Sequence, residues 1–109
     1  MAKLIIPPGA QPAEAGEAKV VDFLRNALPE TYTLLPNLEI AERGRPPFEY
    51  DLIVAAPHAV YVVEIKNWRG GIRGDEGAWL VGGRHARPNP WPTANNKARV
   101  LKSRIQELQ

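Results

Sequence analysis

Residues 48–66 read FEYDLIVAAPHAVYVVEIK, two β-rich runs (Phe48 to Ala55 and Ala59 to Lys66) on either side of Pro57-His58. Branched aliphatic and aromatic residues crowd both runs, and the Pro-His pair between them suits a hairpin turn. A two- or four-residue loop centred on Pro57-His58 sets Asp51 directly across from Glu64, whereas a three-residue loop slips the register by one and sets Asp51 against Ile65. Side chains alternate along a strand, so Val62, Glu64 and Lys66 share one face while Tyr61, Val63 and Ile65 share the other. In the first register Asp51, Glu64 and Lys66 converge on one face of strands that are otherwise apolar.

Two opposed carboxylates repel, and more so when partly buried. A cation between them relieves this: Lys66 brings one charge, and a divalent metal brings more. With oxygen donors and no cysteine, a hard ion such as Mg²⁺ or Mn²⁺ is the natural occupant. The plainer alternative is that Glu64 and Lys66 form an exposed, weak ion pair on a solvated face. The two differ in what Glu64→Gln does. A metal site implies that removing one acid leaves the metal-free protein as stable or slightly more so, and the surface pair implies a small loss.

Outward from the hairpin, residues 1–11 read as an extended arm, since Pro7, Pro8 and Gly9 oppose regular structure. Pro12 suits a helix's first turn, with Glu14 and Glu17 near the positive end of its dipole. Val20, Val21, Phe23, Leu24, Ala27 and Leu28 follow with a helical period until Pro29. Glu17, Val21, Leu24 and Leu28 form one stripe, which makes Glu17 either a helix-end charge at the sheet's rim or a ligand reaching into the site. Thr31 to Ile40 reads as a strand interrupted at Pro36-Asn37, and Glu42 to Pro47 as a loop. A weaker hairpin pairs Ile72-Arg73 with Trp79-Leu80-Val81. Pro88 to Pro92 reads as a rigid linker to a last helix whose apolar residues Ala94, Ala98, Leu101, Ile105 and Leu108 form an amphipathic stripe. That helix is still periodic at Gln109, as in a domain cut from a longer chain.

The chain has 109 residues, 44% hydrophobic and 24% charged, which suits one globular domain and sets disorder aside. It holds no cysteine and two histidines, His58 and His85, so disulfides and thiolate metal sites are excluded and a zinc centre is disfavoured. No secretory segment or membrane-length apolar run occurs, making a cytoplasmic protein the default. Residues 1–65 carry five Lys and Arg against nine Asp and Glu, net −4, and residues 66–109 carry nine against three, net +6. A basic half beside an acidic one is the footprint of a polyanion partner next to a carboxylate cluster.

Gly16-Glu17 opening a helix, Tyr50-Asp51 in a strand, then Val63-Glu64-Ile65-Lys66-Asn67-Trp68-Arg69-Gly70 and later Asn89-Pro90 resemble the nuclease-related (NERD) domain of the PD-(D/E)xK superfamily. The likeness runs from Gly16 to the end. It implies an α/β, restriction-endonuclease-like fold, a mixed central sheet flanked by helices over residues 12–109, with Glu17 completing the acidic site. Thr93 stands where the family places a glutamine, and Asn95 and Asn96 lie one turn away.

By that resemblance Asp51 and Glu64 hold Mg²⁺ or Mn²⁺, with the Ile65 carbonyl as a further oxygen. Lys66 steadies the attacking water, and Glu17 orients it or binds a second ion. Arg69, Arg73, Arg84, Arg87 and Lys97 neutralise phosphates, joined by Arg99, Lys102 and Arg104. Trp68, Trp79 and Trp91 are expected to pack in the core or linker rather than stack on bases. His58 is expected on plain turn surface and His85 in a basic loop. The expected activity is metal-dependent hydrolysis of nucleic-acid phosphodiesters, DNA foremost. The alternative is a non-catalytic nucleic-acid-binding or interaction module. Either would be attached to a further domain, such as a kinase or helicase.

Overall fold

The computed structural model describes residues 1–10, 15–42, 44–66, 72–74, 78–81 and 85–107. Pro12, Glu14, Trp68, Arg69, Arg84 and Leu108 lie outside them, as do the side chains of residues 72–74, 78–81 and 85–88. In chain order the elements are β1 (Lys3–Leu4), α1 (Ala15–Ala27), β2 (Thr33–Glu42), β3 (Arg45–Ala55), β4 (Val60–Val63), β5 (Ile72–Gly74), β6 (Ala78–Val81), β7 (His85–Pro88) and α2 (Trp91–Glu107). A four-stranded sheet runs β1-β2-β3-β4 and a three-stranded sheet runs β5-β6-β7. β1 is parallel to β2 and the other pairs are antiparallel, so the larger sheet is mixed. With α1 and α2 beside it, the chain has the expected α/β architecture.

The parallel strand comes from the segment read as an unpaired arm. Lys3 lies against Thr33 and Leu4 against Leu34, and the N–H groups of Lys3 and Ile5 donate to the carbonyls of Tyr32 and Leu34. The prolines begin at Pro7, past the paired residues, so they do not obstruct the ladder. Ala2 is buried, and its N–H donates to the Arg25 carbonyl at the end of α1.

The loop expected over 42–47 contracts to a turn, with Glu42 against Arg45 and Gly44 at φ 66°. Pro46 and Pro47 fall within β3, where β4 does not reach and no ladder N–H is needed on that side. Nor does β2 break at Pro36-Asn37: the register runs from Pro36↔Leu52 to Leu38↔Tyr50. Asn37 between them takes φ 53°, a left-handed conformation that asparagine tolerates better than most residues.

The hairpin adopts the first of the two registers, with Leu52↔Val63, Ile53↔Val62, Val54↔Tyr61 and Ala55↔Val60, and the Ala56 N–H closes the turn on the Ala59 carbonyl at 2.9 Å. Against expectation, β4 ends at Val63 rather than Lys66. Ala2, Val21, Leu34, Leu52 and Val54 form the core, with Leu24, Leu28, Val63 and Ile65 packed on it. The α1 stripe therefore covers this face; Phe23, read into the same periodic set, is 71% exposed. Val60 and Val62 line a groove with Ala98, Leu101 and Ile105 of α2. Because Glu64 alternates with Val63 and Ile65, it belongs to the face turned toward α2.

The β5–β6 hairpin pairs Ile72 with Val81 and Gly74 with Trp79, as expected. β7 was not expected; it pairs with β6 from Ala78↔Pro88 to Val81↔His85, where the sequence shows only a basic loop and a proline-rich linker. α2 also starts earlier than its apolar stripe. The Asn89 side-chain carbonyl accepts the Trp91 N–H at 3.0 Å, and Pro92 lies in the first turn, where no N–H donor is required. Trp91 is 64% exposed rather than packed. No helix among the described residues is long and apolar enough to cross a membrane.

Candidate functional site

Continuing the β3–β4 register one step past Leu52↔Val63 brings Asp51 opposite Glu64, but the ladder has ended there. In place of another main-chain bond, the Asp51 carboxylate accepts the Ile65 N–H at 3.0 Å. This holds the chain after β4 alongside β3 and frees the Glu64 side chain from the ladder. Asp51 also borders a small cavity of about 90 Å³ with Asn37, Leu38, Glu39, Glu49 and Tyr50.

Glu64 meets α2. Lys97 Nζ lies 2.9 Å from Glu64 Oε1, with the two side chains only 15% and 10% exposed. The buried Tyr50 hydroxyl donates to the Lys97 carbonyl at 2.9 Å, and the Lys97 ammonium stands 5.9 Å from the Tyr50 ring centroid. Lys97 is thus fixed by its main chain to the residue before Asp51 and by its ammonium to Glu64. An ion pair this sheltered rests on mutual compensation: the pair adds little net stability, but a lone survivor is costly.

The structure thereby redistributes the roles read from the sequence. Glu64 pairs with Lys97 rather than Lys66, because β4 ends before residue 66 and strand alternation no longer directs Lys66 beside Glu64. Lys66 is exposed. Lys97, counted among the phosphate-neutralising residues, is committed to a carboxylate. Glu17 is half-buried on α1, which packs on the opposite face of the sheet from α2. No group of three or more acids and histidines suited to a metal ion occurs among the described residues, so Glu17 does not gather with Asp51 and Glu64 into such a cluster.

The donor set nevertheless suits a hard divalent ion. Mg²⁺ is commonly held by one or two carboxylates, with water and substrate phosphate completing its shell. A carboxylate has more acceptor capacity than one N–H or one ammonium uses. Glu64 already attracts a cation, the Lys97 ammonium.

Of the other basic candidates, Arg73 lies opposite Leu80 in β5 and Arg87 opposite Trp79 in β7. Arg69 and Arg84 fall outside the described residues. Arg99 and Lys102 are exposed on α2, whereas Arg104 donates to the Ala41 carbonyl at 3.0 Å and lies 3.5 Å from Glu107. Thr93 is exposed in the first turn of α2. His58 sits exposed at the hairpin tip, bonded to the Tyr61 hydroxyl and edge-on to Tyr32 and Tyr61.

Sequence reasoning missed the engagement of Tyr50 and Lys97. A signal was present: Lys97 falls between Ala94 and Leu101 at helical spacing, beside Ala98, and so lies within the apolar stripe rather than on the solvent side.

Comparison with known proteins adds the family. A 57-residue stretch is 37% identical to the protein named probable kinase PglW of Streptomyces coelicolor; it covers 49% of this chain and 4% of that protein. No solved structure matches. The model of the nuclease-related domain matches residues 12–109. With the mixed sheet in place and Asp51 and Glu64 brought together at the end of its β3–β4 ladder, the chain belongs to the nuclease-related domain family.

Proposed function

We propose that this is a metal-dependent nuclease domain acting on nucleic-acid phosphodiesters, DNA foremost, in the cytoplasm. The observation that carries the proposal is the placement of Asp51 and Glu64 across one register at the end of a ladder, on strands otherwise apolar. Mg²⁺ or Mn²⁺ bound there would polarise a phosphate and lower the pKa of a water. The remaining work falls to the chain. Asp51 and Glu64 supply hard oxygen ligands, and the Ile65 N–H fixes the orientation of Asp51. Lys66, exposed just beyond Glu64, presents an ammonium to the scissile phosphate and its attacking water. Glu17 is assigned a more distant orienting role. Arg73, Arg87, Arg99 and Lys102, with Arg69 and Arg84, supply positive charge to the flanking backbone.

Supercoiled plasmid incubated with Mg²⁺, with Mn²⁺ and with EDTA tests this. Nicking that needs the metal and is lost in Asp51→Asn supports it, and a wild-type protein inert in all three rejects catalysis. The second reading is a nucleic-acid-binding or interaction module. It is supported by the commitment of Lys97 to Glu64, which neutralises one of the two acids, and by the threonine at position 93. Attachment to a further domain is proposed from the small share of the kinase that the match covers.

A further inference from the structure

Resting on the assignment of Asp51 and Glu64 as metal ligands, we propose that Lys97 is the resident counter-cation of the acidic site. Its ammonium holds Glu64 when no divalent ion is there, yields that carboxylate when one binds, and so sets the metal affinity of the site. The two acids are treated differently by the fold. Asp51 is met by a neutral donor, the Ile65 N–H at 3.0 Å. Glu64 is met by a full positive charge at 2.9 Å, from a residue 33 positions away on another element.

The contact is also built to exchange. The Tyr50 hydroxyl anchors the Lys97 carbonyl, and Tyr50 is only 1% exposed, so α2 stays in place while the ammonium moves. Four rotatable bonds separate the ammonium from that anchored main chain, enough to swing away from Glu64 without shifting the helix. A divalent ion at Glu64 and an ammonium on the same carboxylate repel, and the pair is too sheltered for water to screen that repulsion fully. Entry of the ion therefore carries the cost of displacing Lys97.

The test is calorimetric titration of the whole 109-residue chain with Mn²⁺, for wild type, Lys97→Met and Lys97→Arg. Removing the charge should tighten Mn²⁺ binding by about tenfold, while arginine keeps it at or below the wild-type affinity. In urea, Mn²⁺ should raise the unfolding midpoint of Lys97→Met by more than it raises that of wild type. Wild-type binding that is equalled or exceeded by no gain in Lys97→Met overturns the counter-cation role and leaves Asp51 and Glu64 as ligands. Absence of binding in both proteins overturns the exchange and the metal site together. Should Lys97→Met not fold, NMR of the wild-type lysine ammonium groups decides the matter. The Lys97 signal, protected from solvent exchange in EDTA, should lose protection at saturating Mg²⁺; protection retained there overturns the proposal.

Discussion

Tyr50 and Lys97 are 47 positions apart, and the hydroxyl of one donates to the main-chain carbonyl of the other at 2.9 Å. Among the described side chains of α2 none is fully buried, so this single bond from a buried tyrosine is a main tie between the helix and the sheet.

Tyr50→Phe keeps the ring and removes the tie. Losing a buried hydrogen bond to a carbonyl should lower stability by about 1–2 kcal/mol. Urea unfolding in EDTA measures it. A loss below a few tenths of a kcal/mol would show that α2 is held by its apolar stripe alone.

Glu64→Gln should destabilise the metal-free protein, reversing the expectation for two bare acids in repulsion. The change leaves Lys97 sheltered without its counter-charge, at a cost of about 1–3 kcal/mol, below the range for fully buried pairs because both side chains retain some exposure. The double variant Glu64→Gln with Lys97→Met should recover part of that loss in a double-mutant cycle. A cycle with no coupling would mean that the pair is weak in solution.

Asp51→Asn and Asp51→Ala should separate bonding from charge. Asparagine can still accept the Ile65 N–H, so unfolding should shift by less than about 1 kcal/mol, whereas alanine orphans that donor and costs about 1–3 kcal/mol. Both should lose Mn²⁺ binding. Retained binding in Asp51→Asn removes Asp51 from the ligand set.

How much of this was legible follows from where each interaction lies along the chain. The opposition of Asp51 and Glu64 was readable because a short loop at Pro57-His58 fixes the register of everything that follows locally. Lys97 on Glu64 was not, since nothing in a helical period says which strand residue a helix will meet 33 positions back. The same reason hid β1, whose partner Thr33 lies 30 residues on, with a helix between. β7 was obscured because His85 to Pro88 lacks the apolar alternation that marks a strand; its pairing partner β6 supplies the order.

Duplex DNA binding should weaken with salt, with log K falling by about 0.9 per phosphate neutralised. Arg99→Ala and Lys102→Ala, on exposed positions of α2, should each flatten that slope by about one contact. Lys97→Met should leave it unchanged in metal-free buffer, because that charge is spent on Glu64. Filter binding from 50 to 200 mM salt compares them. A slope lowered equally by Lys97→Met would place that ammonium on the nucleic acid.

The family match starts at residue 12, yet Lys3 and Leu4 complete the sheet beside β2, and Ala2 fills the core against Val21 and Leu34. A protein expressed from residue 12 onward would keep every matched position and lose a strand. The outer rim of β2, from Thr33 to Leu34, would then offer unsatisfied main-chain donors and acceptors beside an uncovered apolar cleft, a template for strand-to-strand association between molecules.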